Sequence, residues 1–355
     1  MAPEPLQSTE NSQIPRKISP LVSTTSNRPG LRPHDLVVEL RQLYQFQTVL
    51  RKSEEAWRNR YSFLLSKVTH ETRIAKYFSQ PGILEDPRNH CVRILDSFRD
   101  PILPKVEFLV MPSLRRYADP EFGTVGEVVD FVTQLIEGMD FMHSHHIAHG
   151  YIFKRSIILV ATNYRMNSDL TTQNIMMDAR PIIPSGWHFV AHNREPDGFT
   201  SISPLARIDH PVRYIIIDFD CSIEADSKNP PLILGFGGRD GDPPEYQTRK
   251  PYDPFKIDVF TLGNVFYKDL YMKYEGLDFL PTIIDYMKTV DFRERPTADQ
   301  VMHHWINVRG HIDVNRARWR LQKRRGTIAE RIIFDTMAFA LEGMNRVKRM
   351  IAGET

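Results

Sequence analysis

The chain has 355 residues, of which 41% are hydrophobic and 25% charged, and these ordinary values exclude a collagen-like, rod-like or wholly disordered protein. Its 46 basic and 44 acidic residues nearly balance, so no overall charge favours nucleic acid or a membrane surface as partner. Two cysteines, Cys91 and Cys221, are too few for a secreted disulfide scaffold, and no apolar run approaches the roughly 20 residues of a membrane span. We therefore expect a cytoplasmic or nuclear protein that binds neither nucleic acid nor membrane.

The predicted elements begin with a tail and helices. Residues 1–33 combine proline with polar residues and bury too little apolar surface to fold, so we predict a disordered tail. Over residues 34–70 apolar side chains recur at helical spacing, which predicts a helical segment of two helices or one bent helix. The next helix is predicted over 70–79, because Pro81 and Gly82 end it.

Strand patterns follow, and helices dominate the rest of the chain. Short apolar runs predict strands over 91–98 and over 106–111, where Pro112 ends the second. A wide apolar face predicts a long helix over 123–145. A buried strand is predicted over 213–218, and further helices over 258–273, 280–290 and 298–308. The fold class expected from these elements is α+β.

The C-terminal region, 311–355, is predicted to be basic and helical. Its cluster of basic residues over 316–325 favours a solvated helix face rather than a nucleic-acid contact, because the overall charge is balanced. An amphipathic pattern over 327–351 predicts a helix that docks on the chain's own helical part.

Polar residues stand in a fixed order along the second half of the chain. The predicted long helix runs into the segment HSHHIAH, which ends at His149, and the carboxylate Asp169 and the amide Asn174 follow. A predicted buried strand then ends in Asp218 and Phe219. The remaining members of the series are Pro243-Pro244-Glu245, Asp258 with Gly263, and Arg295 before Pro296.

This series resembles the large lobe of eukaryotic protein kinases, and most closely the kinase-like proteins expanded in mushroom-forming fungi. The closer resemblance is carried by DPRNHC at 86–91, VGEVVDF at 125–131, FMHSHHIAH at 141–149 and NIMMD at 174–178. The likeness covers roughly residues 71–310. It implies a protein-kinase-like fold with an N-lobe remnant over 71–112 that lacks the first strands, and a largely complete helical C-lobe over 113–310.

The resemblance implies a catalytic and metal site. His149 and Asp169 would belong to the catalytic loop, in which Asp169 accepts or orients the proton of the substrate hydroxyl. Asn174 and Asp218 would hold Mg²⁺ through oxygen atoms, the ligands that this hard cation prefers. Two alternatives stay open: these polar residues are turn and cap residues, or the histidines of HSHHIAH bind a metal.

The resemblance also implies how ATP would be held. Glu71 would stand on the helix of the small lobe. Residues 111–114 would form the hinge between the lobes, where the backbone of Met111 and Ser113 would meet adenine.

Three further residues are expected to hold the large lobe together. Glu245 and Arg295 are expected to form a partly buried ion pair, because the resemblance places them on facing segments. Asp258 is expected to accept hydrogen bonds from backbone amides of the catalytic loop.

The catalytic loop departs from the family pattern. A single residue separates the histidine from the aspartate in the family, whereas residues 150–168 separate His149 from Asp169 here. We hypothesise that residues 150–167 are encoded by an intron retained in frame, because the residues at both edges permit codons that contain the GT and AG splice signals. Two alternatives remain: a genuine surface insertion, and an alignment that sets Gly150-Tyr151 on the motif and leaves it without a carboxylate.

The nucleotide-binding side departs further. Residues 34–70 contain no glycine, so a glycine-rich loop over phosphates is missing there. Only three residues separate Lys67 from Glu71, too few for the lysine and glutamate of the family, so we do not expect Lys67 to bind ATP. Thr171 replaces a common lysine of the catalytic loop, and Asp220 replaces the glycine that follows Asp218-Phe219.

Two functions follow from the resemblance and its departures. The first is phosphoryl transfer from ATP to protein Ser or Thr with Mg²⁺, impaired in this chain. The alternative is a catalytically inactive pseudokinase that acts as a binding or scaffold module.

Overall fold

The computed structural model describes residues 61–67, 70–99, 106–150, 174–188, 191–225, 232–233, 242–248 and 251–324. All of them fall within the unit that spans Arg60–Thr355. Three predicted segments lie outside these residues: the tail over 1–33, the part of the helical segment over 34–60, and the amphipathic helix over 327–351. Asp169 and the insert after Gly150 also lie outside them.

A three-stranded antiparallel sheet opens the described part. Its strands are β1, Tyr61–Lys67; β2, Asp96–Arg99; and β3, Val106–Pro112. Their order is β1-β3-β2, with Tyr61 opposite Pro112 and Lys67 opposite Val106. Helix α1, His70–Phe78, follows β1, and the short helix α2, Pro81–Leu84, follows α1.

The prediction of a helix through residue 67 is wrong for β1. The run YSFLLSK has apolar and aromatic residues that suit either a helix or a half-buried strand. The seven residues of β3 pair with it along its whole length, and this long-range pairing outweighs the local pattern. One strand therefore precedes Glu71, where the sequence predicted only helix.

Helix α3, Val125–Ser144, is the central helix of the described part and confirms the prediction over 123–145. Its start is fixed by a reciprocal cap. Thr124 Oγ1 accepts a hydrogen bond from the Glu127 amide at 3.4 Å, and the Glu127 carboxylate accepts one from the Gly123 amide at 2.7 Å. Most of its length is buried, and the Trp305 indole donates to Thr133 Oγ1 at 2.9 Å across the core.

Four more α-helices follow in the described part: α4, Glu245–Thr248; α5, Pro254–Val265; α6, Leu280–Met287; and α7, Ala298–Gly310. Of these, α5 and α7 pack against α3, and α6 packs against α5 and α7. The predicted helix over 258–273 begins earlier and changes into a π-helical turn, Phe266–Tyr271. The helices predicted over 280–290 and 298–308 are confirmed with small shifts of their ends.

Short strands complete the structure. A second sheet has the order β4-β6-β7, formed by β4, Arg115–Arg116; β6, Ile175–Asp178; and β7, Arg213–Ile216. Strand β5, Ile147–Ala148, pairs with β8, Ile223–Glu224. Strand β9, Tyr274–Glu275, pairs with β10, Gln322–Lys323. The strand predicted over 91–98 is regular only in β2, while Cys91 makes an isolated bridge to Ile216.

The basic segment over 316–324 is not one helix as predicted, although Arg318, Lys323 and Arg324 are exposed as expected of a solvated face. It forms a 3₁₀-helix, Val314–Arg318, and then β10, and both lie on the helical part. Its cations meet carboxylates there: Arg318 Nη2 lies 2.8 Å from Asp209, and Arg316 Nη2 lies 3.2 Å from Asp278. Backbone pairing to β9 and these ion pairs override the helical pattern.

Helices and strands both contribute to the described core, so the α+β class is confirmed. Within the described ranges, no helix is long and apolar enough to cross a bilayer.

Candidate functional site

The loop that follows α3 is held by one buried carboxylate. Asp258 lies on α5 with no solvent exposure. Its Oδ2 accepts hydrogen bonds from the His149 amide at 2.6 Å and from His143 Nε2 at 3.0 Å, and its Oδ1 accepts one from the Gly150 amide at 2.9 Å. The expected backbone contacts of Asp258 are confirmed. The third partner, His143, was not predicted.

The backbone of Ile217 joins three of the predicted site residues. The His149 ring donates through Nε2 to the Ile217 carbonyl at 3.1 Å. The Ile217 amide donates to the Asn174 carbonyl at 2.9 Å, and Asp218 follows directly in the chain. Because Ile175 pairs with Ile216, Asn174 at the start of β6 and Asp218 after the end of β7 lie at the same edge of the sheet.

Asp218 has a left-handed backbone, with φ at 69°. A residue other than glycine adopts this conformation at a cost, and such residues concentrate at functional sites. The turn lets Phe219 point back into the core, where it is almost fully buried. Its ring centroid lies 5.4 Å from that of His149 and 5.8 Å from that of Phe78, so a cluster of tilted aromatic rings links α1 to the loop.

Gly150 and Ser222 close the other side of the loop. Gly150 has φ at 73°, and a β-carbon on it would collide with the Cys221 carbonyl oxygen, so only glycine fits. Ser222 is buried and donates through Oγ to the His149 carbonyl at 3.1 Å. The loop is thus fixed from both faces up to the point where the segment carrying Asp169 begins.

Glu71 is nearly buried in the first turn of α1. On the same helix, the Lys76 ammonium lies 2.6 Å from Glu107 on β3, and Arg73 pairs with Glu224 on β8. Helix α1 therefore contacts both the three-stranded sheet and the segment that follows Asp218. The strand that ends in Lys67 leads directly into this helix.

Met111 and Ser113 lie where the sheet joins the helical part. Met111 is buried near the end of β3, opposite Ser62, and Ser113 is half-buried between β3 and β4. This position agrees with a connection between the two parts.

Glu245 and Arg295 form the expected ion pair, with 2.7 Å between Arg295 Nη2 and Glu245 Oε1. Arg295 also donates to the carbonyls of Thr289 and Lys256, each at 2.9 Å, and its guanidinium lies 4.7 Å from the centroid of Phe260. Burial lowers the pKa of Arg295, although Glu245 opposes that shift. The pair binds α4 to the loop before α7.

The imidazole rings of the histidines in HSHHIAH do not converge on a common point. His143 contacts Asp258, His145 contacts Tyr77, and His149 contacts the Ile217 carbonyl. Among the described residues, no group of three His, Cys, Asp or Glu side chains is placed to hold a metal ion. Asn174 and Asp218 remain suitable for Mg²⁺, because this ion commonly takes one or two protein ligands and completes its shell with phosphate and water oxygens.

Comparison with known proteins adds no family to this geometry. The chain matches no protein-family model and no curated protein.

Proposed function

We propose that this chain is a protein-kinase-like domain that transfers the terminal phosphoryl group of ATP to Ser or Thr hydroxyls of proteins. The observation that carries the proposal is the convergence at Ile217 of His149, Asn174 and Asp218, residues that are far apart in sequence. Phosphoryl transfer needs positioned charge and oriented reactants more than covalent chemistry. A rigid loop beside an amide and a carboxylate meets that need.

Each residue has a distinct part in this proposal. Asn174 and Asp218 would hold Mg²⁺, which when bound neutralises charge on the phosphates. Asp169 would orient the substrate hydroxyl and accept its proton. His149 and Asp258 would not touch substrate in this scheme, and they fix the loop at residues 149–150, which precedes the segment of Asp169 in the chain.

The small sheet and α1 would bind the nucleotide. Glu71 lies on α1, whose Phe78 packs against Phe219 next to Asp218. The segment of Met111 and Ser113 would offer backbone groups to adenine. Lys67, at the end of β1, is the lysine nearest in sequence to Glu71 on α1. We keep the prediction that Lys67 does not bind ATP.

Transfer of labelled phosphate from ATP to the full chain itself and to a Ser/Thr peptide library tests the proposal. We expect Mg²⁺-dependent labelling that Asp169→Asn and Asp218→Asn each lower by at least about 100-fold, the scale of a positioned acid–base or metal-binding group. The matched control is Asp278→Asn, which alters an exposed carboxylate paired with Arg316. Labelling that survives in Asp218→Asn contradicts the assignment of the site.

A second function, a pseudokinase that binds partners without catalysis, is favoured by one specific observation. The segment before Glu71 contains no glycine over residues 34–70, so it supplies no glycine-rich loop. A folded chain that neither transfers phosphate nor binds Mg²⁺-ATP at millimolar concentration would support this function and contradict the first.

A further inference from the structure

Helix α1 meets the end of α3 through one hydrogen bond between side chains. The Tyr77 hydroxyl lies 2.8 Å from His145 Nδ1, and the two rings meet edge to face with centroids 5.7 Å apart. His145 is the C-terminal cap of α3, and its amide bonds to the Phe141 and Met142 carbonyls. Four residues later the chain reaches His149.

Two further aromatic rings pack against His145. Its ring centroid lies 4.5 Å from Phe141 and 6.0 Å from Phe78. Phe78 also packs against Phe219, beside Asp218. The Tyr77–His145 contact thus borders the same aromatic cluster that links α1 to the loop of the candidate site.

We infer that Tyr77 and His145 are positioning residues, which fix α1 and its Glu71 against the loop of His149 and Asp218, and that proton uptake by His145 loosens this contact at mildly acidic pH. That this contact would regulate the candidate site rests on the proposed function. The contact itself and its response to pH are independent of the proposed function.

The chemistry of the contact accounts for the response to pH. Neutral His145 accepts the Tyr77 hydroxyl proton through Nδ1, whereas the charged ring has a proton on both nitrogens and the hydroxyl must turn to accept. The packed rings of Phe78 and Phe141 also withdraw the charged His145 ring partly from water. This loss of hydration disfavours the protonated ring in the docked arrangement.

Charged groups around His145 oppose each other. Asp86 favours the protonated ring, while Arg88 and the neighbouring His146 disfavour it. Asp86 is itself engaged by Arg88 at 2.9 Å, and the Arg88 guanidinium lies 5.8 Å from the Phe141 centroid. Burial is the largest influence, and it lowers the pKa of His145 below its ordinary value of 6.5.

The sign of the effect follows from this lowered pKa. When α1 is released, His145 becomes more exposed and takes up a proton more readily, so the released state binds more protons. Docking of α1 is therefore complete above pH 6.5 and weakens as the pH falls from 6.5 towards the lowered pKa of His145.

Hydrogen exchange of the full chain measures docking directly. We expect Tyr77→Phe to speed exchange of the α1 amides about 5- to 10-fold at pH 7.5, the effect of one lost hydrogen bond. In the unaltered chain, exchange corrected for its intrinsic pH dependence should also speed up between pH 7.5 and 5.5. His145→Asn keeps an acceptor near the position of Nδ1 but takes up no proton, so this acid response should disappear.

His146→Asn is the matched control. His146 is exposed, and its φ of 59° suits asparagine, so this variant should keep the acid response. The inference is overturned if Tyr77→Phe leaves α1 exchange within twofold, if His145→Asn keeps the acid response, or if Tyr77→Phe unfolds the whole chain. If phosphoryl transfer is absent but the exchange results hold, the proposed function fails and the positioning contact stands.

Discussion

Replacing Asp258 with alanine tests how the loop at His149 is held. The substitution leaves the backbone N–H groups of His149 and Gly150 buried without their acceptor, and it also removes the acceptor of His143. Each buried group left without a partner costs about 1–3 kcal/mol, so the two backbone groups together predict a loss of about 2–6 kcal/mol in the free energy of unfolding.

The assay is urea unfolding of the full chain at pH 7.5, followed by tryptophan fluorescence, with Asp258→Asn and Asp278→Ala beside Asp258→Ala. Asp258→Asn keeps one acceptor oxygen and should lose less than the alanine variant. Asp278→Ala removes an exposed carboxylate and should change stability by less than about 1 kcal/mol. A loss below about 1 kcal/mol in Asp258→Ala would refute the claim that this carboxylate fixes the loop.

Three further predictions concern stability and pH. Glu245→Ala leaves the Arg295 guanidinium buried without its carboxylate, so thermal unfolding should show a loss of about 3–5 kcal/mol, and an unchanged melting temperature would contradict the importance of the pair. Gly150→Ala places a β-carbon against the Cys221 carbonyl oxygen at a positive φ, so it should lower the midpoint of urea unfolding. Gly82→Ala, at a site with open space, should leave that midpoint unchanged. Equal midpoints in the two variants would disprove the steric argument. Burial raises the pKa of Glu127 above its ordinary 4.5, so the folded chain holds this proton more tightly than the unfolded chain, and stability is lost as the pH rises above 4.5. Glu127→Gln should therefore gain stability relative to the unaltered chain over that rise. A stability difference that stays constant with pH would refute this prediction.

The sequence is sufficient to predict elements whose signals are local. Helix α3 has a wide apolar face and a Thr124–Glu127 cap at its start, and the structure begins it at Val125. The motif order likewise predicts the Glu245–Arg295 pair and the backbone contacts of Asp258. Both predictions follow from the family resemblance that this motif order carries.

Contacts between distant segments are what the sequence does not reveal. Strand β1 has a local pattern that suits a helix, and its pairing with β3 decides its conformation. His143 meets Asp258 from 115 positions away, and no spacing in the sequence indicates that contact. No sequence pattern indicates the role of the Ile217 carbonyl, because every residue has a backbone carbonyl.

The interrupted catalytic loop stays a prediction of the sequence. The insert after Gly150 and Asp169 lie outside the described residues, while both anchors, Gly150 and Asn174, lie inside them. Sequencing of the native transcript tests the hypothesis of a retained intron. A transcript without the codons of the insert supports it, and one that encodes the whole segment contradicts it.

Thermal unfolding of the full chain with and without Mg²⁺-ATP tests the central claim most directly. The account predicts that nucleotide at 100 times its dissociation constant stabilises the chain by about 2.7 kcal/mol, and that Asp218→Asn abolishes the Mg²⁺-dependent part of this shift. The Asp278→Asn control should shift as the unaltered chain does. No shift at millimolar Mg²⁺-ATP, or an equal shift in Asp218→Asn, would contradict a nucleotide site built around Asn174 and Asp218.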